Sequence, residues 1–569
     1  MEGIKQAIQA ATKELFDVDV EPELSRVREQ FGDYATNVAL QLAGKLNKNP
    51  RDIATELAQK IHSPAIAKTE VAGPGFINIH LRDEALAKQA FEQKIAQPLK
   101  GKVVVTEYSD PNPFKVLHAG HLYTSVVGDV IANLLETAGA KVHRVNFGGD
   151  VGLHVAKTMW AVLQKLGGEY PEKLTEIPEN ERADWLAEEY VTGSFAYGDE
   201  EKFHETAKQE IKELNSRIYK IHEDNDHDSA FAQIYWTTRQ WSYDYFEDFY
   251  KKIGSGFEKY YPESETIELG MQTVKANIGK VFEQSDGAIV FKGEIHNLHT
   301  RVFINSQGLP TYETKDIGLS LKKWQDYRFD KSIIITANEI YEYMQVVLKA
   351  MEQIQPELAQ KTVHLTHGLV RLTGGQKMSS RKGNILRAVD VLHAATEANQ
   401  KATGKKNVHV ELGAVKYAFL KQRMGADIIY DPDESVSLEG NSGPYLQYAH
   451  ARARSILNKS PVPSLPAVRQ DPQSLAKDYK LWTLDPSERS LVRKVSEYPE
   501  VVEKAVNELM PHHVCTYLYE LAQTFNRFYE NNRVIGNERE VIRLRLVETY
   551  ADVLKNGLNL LNIPAPERM

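Results

Sequence analysis

One stretch, residues 102–147, constrains the fold of this chain more than any other. Val103-Val104-Val105 is a short apolar run of the kind buried on both faces of a parallel sheet. A turn rich in Pro and Asn follows, Asp110-Pro111-Asn112-Pro113. The spacing then predicts a helix from Gly120 to Ala138, closed by Gly139 at the C-cap position. A second strand is expected over Lys141 to Phe147. Strand, helix and strand together make a βαβ unit, the opening of a doubly wound nucleotide-binding sheet. Further strand-like runs at Ser332 to Thr336 and Val363 to Leu365 supply its second half.

The remaining sequence divides around this sheet. A chain of 569 residues suggests three or four domains. Residues 1–98 read as a small α+β module: Ile4, Ala7, Ile8 and Ala11 have helical spacing, as do Ala54, Leu57 and Ile61, and Gly73-Pro74-Gly75 turns into a strand beginning at Phe76. Residues 99–151 are the first half of the sheet. Residues 152–300, rich in Trp, Tyr, Glu and Lys at amphipathic spacing, read as an insertion. Residues 301–376 hold the second half, and 377–439 a basic loop with the region after it. From 440 to 569 the pattern is long amphipathic helices. The expected architecture is multi-domain α/β: a Rossmann-type doubly wound domain with an insertion, a small α+β N-terminal domain and an all-helical C-terminal domain.

Composition narrows the setting. No run of about 18 apolar residues occurs, so no membrane span is expected. Met1-Glu2-Gly3-Ile4-Lys5 lacks the basic-then-apolar pattern of a secretory signal. The single cysteine, Cys515, has no partner for an internal disulfide and rules out a cysteine-rich zinc site; a reducing cytoplasm and no protein-bound metal are expected. A net charge of −9 argues against broad non-specific nucleic-acid binding but leaves room for a local basic patch, Arg371 to Arg387 or Arg533 to Arg545. Either patch reads equally as a solvated charged face.

Two motifs carry chemistry. His118-Ala119-Gly120-His121 falls at the strand-to-helix turn of the βαβ unit. Gly120 lets backbone approach a nucleotide, the helix N-terminus offers free N–H groups to phosphate, and two imidazoles can hydrogen-bond a phosphate whose charge rises in the transition state. Lys377-Met378-Ser379-Ser380-Arg381-Lys382-Gly383-Asn384 follows a Gly-Gly turn, and its cations suit departing pyrophosphate. Alone, the first motif is a common four-residue match and the second a solvated loop. Their order, one on each half of the sheet, makes the pair informative.

With those residues in view, the sequence resembles the class I aminoacyl-tRNA synthetases, and among them the arginyl family, over nearly its whole length. The two motifs stand where that family carries its signatures. Gly32-Asp33-Tyr34-Ala35-Thr36-Asn37 and Gly73-Pro74-Gly75-Phe76-Ile77-Asn78 are similar to its N-terminal domain. Glu107-Tyr108-Ser109-Asp110-Pro111-Asn112, the run from Asn441 to Arg452 and the terminal Pro566-Glu567-Arg568-Met569 resemble further segments of it.

The resemblance implies ATP-dependent activation of L-arginine and its transfer to tRNA(Arg), by a cytoplasmic, monomeric ligase using ATP with Mg²⁺. His118, His121, Lys115, Lys377 and Lys382 are the implied catalytic residues, with Gly120, Met378 and Ser379 also at the ATP. Glu107, Ser109, Asn112, Tyr312 and Asp316 are implied for arginine. Tyr312 and Asp316, four residues apart, share one helical face, and a carboxylate there suits a planar guanidinium. Phe76 and Asn78 are implied for the tRNA D-loop; Tyr445, Tyr448, Arg452 and Met569 for the anticodon, where aromatic and Arg planes stack on splayed bases. Core packing is the alternative for Tyr445 and Tyr448.

Two departures stand out. Ser380 occupies the place of the family's strongest lysine, for which Lys115 is the candidate substitute. A family glutamine falls at Ile340, where Asn338, Glu339 or Gln345 can stand in. A cysteinyl-type synthetase, a non-catalytic RNA-binding paralogue and a small-molecule nucleotidyltransferase are the competing readings. The missing Cys/His zinc set, the intact His118 and His121, and the helical C-terminal region argue against them in turn.

Overall fold

The computed structural model describes residues 1–198, 204–373, 386–460 and 483–569. Its first module is built from helix α1 (Glu2–Phe16), strands β1 (Ser25–Arg26) and β2 (Tyr34–Thr36), helices α2 (Val38–Leu46) and α3 (Pro50–Lys60), strands β3 (Ile66–Ala72) and β4 (Phe76–Leu81) and helix α4 (Asp83–Glu92). The strands form an antiparallel sheet in the order β1-β2-β4-β3. Ile4, Ile8 and Ala11 share a core with Ile53, Leu57, Ile77 and Ile79. The Asn49 side chain accepts from the Arg51 N–H at 2.8 Å, and Pro50 at the first helical position starts α3. The β3–β4 turn takes Gly73 and Gly75 through positive φ, and a Cβ on Gly75 would stand 3.0 Å from Pro50.

The central sheet is parallel throughout, in the order β12 (Thr362–His367), β11 (Lys331–Ala337), β5 (Val103–Glu107), β6 (Lys141–Gly148) and β7 (Lys259–Pro262). Strand β5 (Val103–Glu107) lies in the middle, with Val104, Val105 and Thr106 all buried. Helix α5 (Ala119–Thr137) crosses to β6 (Lys141–Gly148). Gly139, at φ 95°, ends the crossover close to where the sequence places it. Gly128 lets α5 sit directly on Tyr108; a Cβ there would come within 2.2 Å of the ring.

Helices α6 (Leu153–Leu166), α7 (Arg182–Ala196), α8 (His204–Glu223) and α9 (Ala230–Ile253) follow, around a core of their own that includes Val155, Met159, Ile211, Ile218 and Phe231. The insertion does not run unbroken to residue 300. Strand β7 (Lys259–Pro262) joins the sheet edge beside β6, with Tyr261 buried and Lys259 bonded to Asp326 at 2.7 Å. Lys259-Tyr260-Tyr261-Pro262 is too short and polar to read as a strand from periodicity.

Helix α10 (Ile267–Ala276) leads to a small antiparallel sheet of β8 (Glu283–Ser285), β9 (Ala288–Phe291) and β10 (Arg301–Ile304). The second half of the central unit comprises α11 (Tyr312–Tyr327), β11 (Lys331–Ala337), α12 (Tyr341–Ile354), α13 (Pro356–Lys361) and β12 (Thr362–His367). Then come β13 (Val370–Leu372), α14 (Ala388–Thr403), α15 (Val408–Leu420), β14 (Ile428–Tyr430) and α16 (Pro432–Ser435), with β13 and β14 paired in parallel.

The last module is helical: α17 (Gly443–Lys459), α18 (Pro486–Ser496), α19 (Tyr498–Glu508), α20 (His512–Asn531) and α21 (Glu540–Leu560). The first module docks against it through buried charge. Asp33, fully buried, accepts from Arg489 at 2.8 Å and from the Leu81 N–H at 2.7 Å. Glu500 accepts from Arg26 at 2.9 Å and from the Tyr34 hydroxyl at 2.6 Å. Among the described residues no helix is long and apolar enough to cross a membrane.

Removing one partner from such a contact strands the other charge. Asp33→Ala is expected to destabilise the protein by about 3 kcal/mol, the low end for a broken buried pair because Arg489 keeps some water contact. Chemical denaturation measures it, and an unchanged midpoint would remove Asp33 from the supports of the interface.

Candidate active site

The site begins where β5 stops. Its loop to α5 passes through left-handed backbone at three non-glycine residues, Ser109 (φ 73°), Asp110 (φ 48°) and Phe114 (φ 68°). Each costs about 1–3 kcal/mol and persists only where neighbours dictate it. Here they do. Asp110 accepts from the Phe147 N–H at 2.8 Å, and Asn112 accepts from the Gly149 N–H at 2.8 Å. Ser242 accepts from the Phe114 N–H at 2.9 Å, and the hydroxyls of Ser109 and Tyr250 lie 2.8 Å apart.

The loop delivers His118 to the N-cap of α5. His118 Nδ1 accepts from the Gly120 N–H at 3.1 Å, and His121 Nδ1 accepts from the His118 N–H at 3.1 Å. The two rings stack with centroids 3.7 Å apart. A Cβ on Gly120 would meet the His118 ring at 2.9 Å, so glycine is required here by the histidine itself. A neutral imidazole that accepts at Nδ1 carries its proton on Nε2. Burial keeps both rings neutral, pushing His118 down to about 3 and His121 well below its ordinary value, with Lys115 acting the same way. The pair thus presents two Nε2–H donors beside a helix N-terminus, a geometry suited to phosphate oxygens. Lys115 is half-buried; burial lowers its pKa, and Glu339 partly restores it.

The end of β5, the segment after β7 and helix α11 bring together a group of carboxylates, most with a resident cation. Glu107 takes Lys323, Glu263 takes Lys315 at 2.5 Å, and Glu313 takes Arg301 at 3.2 Å. Asp316 and Asp110 have no ion pair among the described residues. Burial pushes Asp316 up to about 8, Glu107, Glu263 and Glu313 push the same way, and a hydrogen bond from Tyr343 opposes them. Burial and Glu107 likewise push Asp110 well up. Burial and neighbouring carboxylates hold both back from ionising, and a cation brought beside either would favour its charged form.

Several expected residues sit differently from a free ligand-facing group. Glu107 is bonded to Lys323, Ser109 to Tyr250, and Asn112 to Gly149. Tyr312 is 50% exposed, with its hydroxyl 3.2 Å from His154 Nδ1. Near Ile340, Asn338 donates to the Gly425 carbonyl at 2.9 Å and Glu339 is exposed; it is Tyr343 that reaches Asp316. Asp110, Tyr343, Glu263 and His154 were not singled out from the sequence. Only Asp110, within the quoted Pro-Asn turn, had a signal that could have found it. Lys377, Met378, Ser379 and Lys382 lie outside the described residues, as do Ser380 and Arg381.

Three family models together span almost the entire chain: the arginyl-tRNA synthetase N-terminal domain over residues 2–81, the catalytic domain of class I (R) tRNA synthetases over 83–431, and the DALR anticodon-binding domain over 446–569. The chain belongs to the class I arginyl-tRNA synthetase family. An arginine–tRNA ligase of Porphyromonas gingivalis is 29% identical over 608 aligned positions, covering 100% of both chains. The arginyl-tRNA synthetase structure of Thermus thermophilus superposes with a TM-score of 0.79 at 26% identity, again over 100% of both chains. That of Plasmodium falciparum, 20% identical, shares the fold at a TM-score of 0.76, covering 100% of this chain and 99% of the other.

The outlying residues that the resemblance to the arginyl family implies occupy two surfaces. Phe76 is 40% exposed on β4, while Asn78 on the same strand is buried. Tyr445 is half-buried, its hydroxyl accepting from Asn526 at 2.8 Å, and Tyr448 and Met569 are exposed. The Arg452 guanidinium lies 4.7 Å from the Tyr529 ring centroid. Within the basic run Arg533 to Arg545, Arg533 is exposed, while Arg539 and Arg543 bind Glu488 at 2.9 and 3.0 Å.

Neutral buried imidazoles make stability depend on pH. Folded pKa values below the unfolded value mean that the contribution is present above pH ~6.5 and is lost as pH falls toward the folded values. At pH 5, His118 alone should forfeit about 2 kcal/mol. Denaturation midpoints at pH 7 and 5 are expected to diverge in the parent protein and less so in the His118→Asn, His121→Asn double variant. Parallel pH curves for the two proteins would mean that the rings are not held neutral.

Proposed function

We propose that the chain performs the family's reaction in one cleft, between the histidine pair at the N-terminus of α5 and the carboxylates that have no ion pair among the described residues. As an arginine–tRNA ligase it joins L-arginine to ATP: a carboxylate oxygen of arginine attacks the α-phosphorus, the bond to pyrophosphate breaks, and arginyl-adenylate forms. A ribose hydroxyl at the 3′ end of tRNA(Arg) then attacks the carbonyl carbon and AMP leaves. Positioning and charge stabilisation supply the catalysis. The observation that carries the reading is Asp316: a carboxylate raised by burial to about 8, with no ion pair among the described residues, on the helix face that also bears Tyr312.

In this reading the Nε2–H groups of His118 and His121 bind phosphate oxygens where charge develops. Lys115, with Lys377 and Lys382 of the basic loop, neutralises the departing pyrophosphate, and Met378 and Ser379 lie along the nucleotide. Mg²⁺ arrives on the ATP phosphates as part of the substrate. Asp316 and Tyr312 bind the side chain of arginine, and Glu107, Ser109 and Asn112 shape the wall near its α-amino group. Phe76 and Asn78 meet the tRNA elbow; Tyr445, Tyr448, Arg452 and Met569 meet the anticodon. One chain carries every module, which favours action as a monomer, and its single buried cysteine suits the cytoplasm.

Pyrophosphate exchange over all amino acids, with and without tRNA, tests the substrate. Asp316→Asn should raise the arginine KM at least 100-fold, as expected when a buried cation loses a partner worth about 3–5 kcal/mol, and leave the ATP KM in place. An unchanged arginine KM would exclude Asp316 as the reader. Lys115→Ala should lower kcat by about 10²-fold, the usual effect of losing a transition-state donor. Adding Ser380→Lys should recover part of that, because the two positions would serve one charge. No rescue would separate the two positions.

A further inference from the structure

The resident cations account for Glu107, Glu263 and Glu313, which leaves the question of what holds Asp316 in place. Among the described residues its one hydrogen-bond partner is the Tyr343 hydroxyl, which donates to Oδ2. Tyr343 lies in the first turn of α12, on a different element from the carboxylate it serves. Its ring is fixed from the other side. The Arg301 guanidinium stands 5.1 Å from the ring centroid, and Arg301 is tied at 3.2 Å to Glu313, which precedes Asp316 by three residues on α11. Glu313 and Asp316 thus share a helix face. Arg301 and Tyr343, in contact with each other, hold one of them each.

We propose that Tyr343 is the positioning residue that sets the plane of the Asp316 carboxylate, and that it thereby selects a guanidinium over an ammonium side chain. The inference rests on Asp316 being the arginine reader, as argued above. A guanidinium is a rigid planar fork, and its best bond to a carboxylate uses two parallel N–H donors and two coplanar oxygens. An ammonium is a point charge that accepts any carboxylate orientation. A carboxylate free to rotate about its last bond therefore binds the two alike. One pinned at Oδ2 by a fixed phenol offers a set plane, with Oδ1 and the remaining lone pair of Oδ2 open to the ligand. Tyr343 makes its one hydrogen bond there, so its hydroxyl adds orientation without adding a competing cation.

The same bond bears on ionisation. Asp316 feels Glu107 and Asp110 from β5 and the loop after it, Glu263 from the segment after β7, and Glu313 from its own helix, and Lys315 of that helix pairs with Glu263. Lys323 on the same helix and Arg301 on β10 complete the charged surroundings. The carboxylates among them oppose its charge, and Tyr343 favours it. Arginine requires the ionised form. Loss of the phenol raises the Asp316 pKa further, so arginine binding should fail at a higher pH as the solution is acidified.

The test compares parent, Tyr343→Phe, Asp316→Asn and the double variant as full-length enzymes, with saturating ATP and tRNA. Arginine and lysine are varied from pH 6 to 9, and thermal midpoints are recorded in parallel. Tyr343→Phe keeps the ring and its packing. It is expected to lower kcat/KM for arginine by about 10- to 100-fold, through KM, the range for losing a hydrogen bond to a charged group. Lysine should share only the loss that follows from the raised Asp316 pKa, so at pH 9, where the carboxylate is most ionised, arginine loses more than lysine and the arginine-to-lysine ratio falls; the ATP KM and the melting midpoint should hold, and the acid limb of the arginine KM profile should move to higher pH. In the Asp316→Asn background Tyr343→Phe should add nothing. An unchanged arginine-to-lysine ratio or acid limb overturns the proposal, and so does a loss shared equally by arginine, lysine and ATP with a lowered melting point. If Asp316→Asn itself leaves the arginine KM unchanged, the reading of the pocket fails first. If it raises KM while Tyr343→Phe does not, only the role of Tyr343 fails.

Discussion

The backbone between β5 and α5 is the constraint on which the rest of the structure depends. It must leave the middle of a parallel sheet, pass three residues through a conformation that side chains disfavour, and arrive with His118 placed to cap a helix. No local sequence preference supplies that path. It is enforced from outside, by N–H groups of Phe147 and Gly149 at the end of β6 and by Ser242 and Tyr250 of α9. The insertion therefore does more than decorate the sheet, since α9 is one wall of the mould in which the β5–α5 loop is set. The other wall is Tyr108, whose hydroxyl bonds Asp129 of α5 at 2.7 Å. Asn562, beyond the last helix, donates to the same Asp129 and to the Gly254 carbonyl, so the helical module closes the back of the loop.

Charge balance gives the cleft its character. A site filled with carboxylates would repel itself open in the absence of compensation, because burial weakens the solvent screening that separates like charges. Lys323, Lys315 and Arg301 each neutralise one of them. The two left over, Asp110 and Asp316, lie within electrostatic range of each other. Burial and neighbouring carboxylates hold both back from ionising, and a cationic ligand of the kind proposed above would favour their charged forms.

Much of this was legible in the residues, and the exceptions have physical causes. The βαβ opening and the helix ending near Gly139 follow from short-range periodicity and turn chemistry, which sequence displays directly. His118 and His121 were visible as chemistry, though not as a capping pair, because that role depends on which ring nitrogen faces the backbone. Strand β7 was hidden inside helical surroundings, since its four residues owe their conformation to pairing with β6. Tyr343 was not singled out, whereas Asn338, Glu339 and Gln345 were named as stand-ins for the family glutamine. Those have the polarity expected of a stand-in for glutamine, but only the three-dimensional path of α12 decides which side chain reaches α11. Arg539 and Arg543 fell within a candidate basic patch because their acidic partners, Asp485 and Glu488, lie far back in the sequence.

Strand order also has a consequence for how the chain is made. The N–H of Val103, at the start of β5, is bonded to Asp330, 227 positions later. Its neighbour β11 comes from the same late segment, so the central strand keeps one open edge while the whole insertion emerges from the ribosome. At about 5–20 residues per second that interval is on the order of 10–45 seconds. Throughout it, Val103-Val104-Val105 is an apolar strand with unpaired backbone, the kind of edge that recruits other chains. The insertion helices, with a core of their own, can fold during the wait. A longer insertion would lengthen that exposure without changing any contact of the finished sheet.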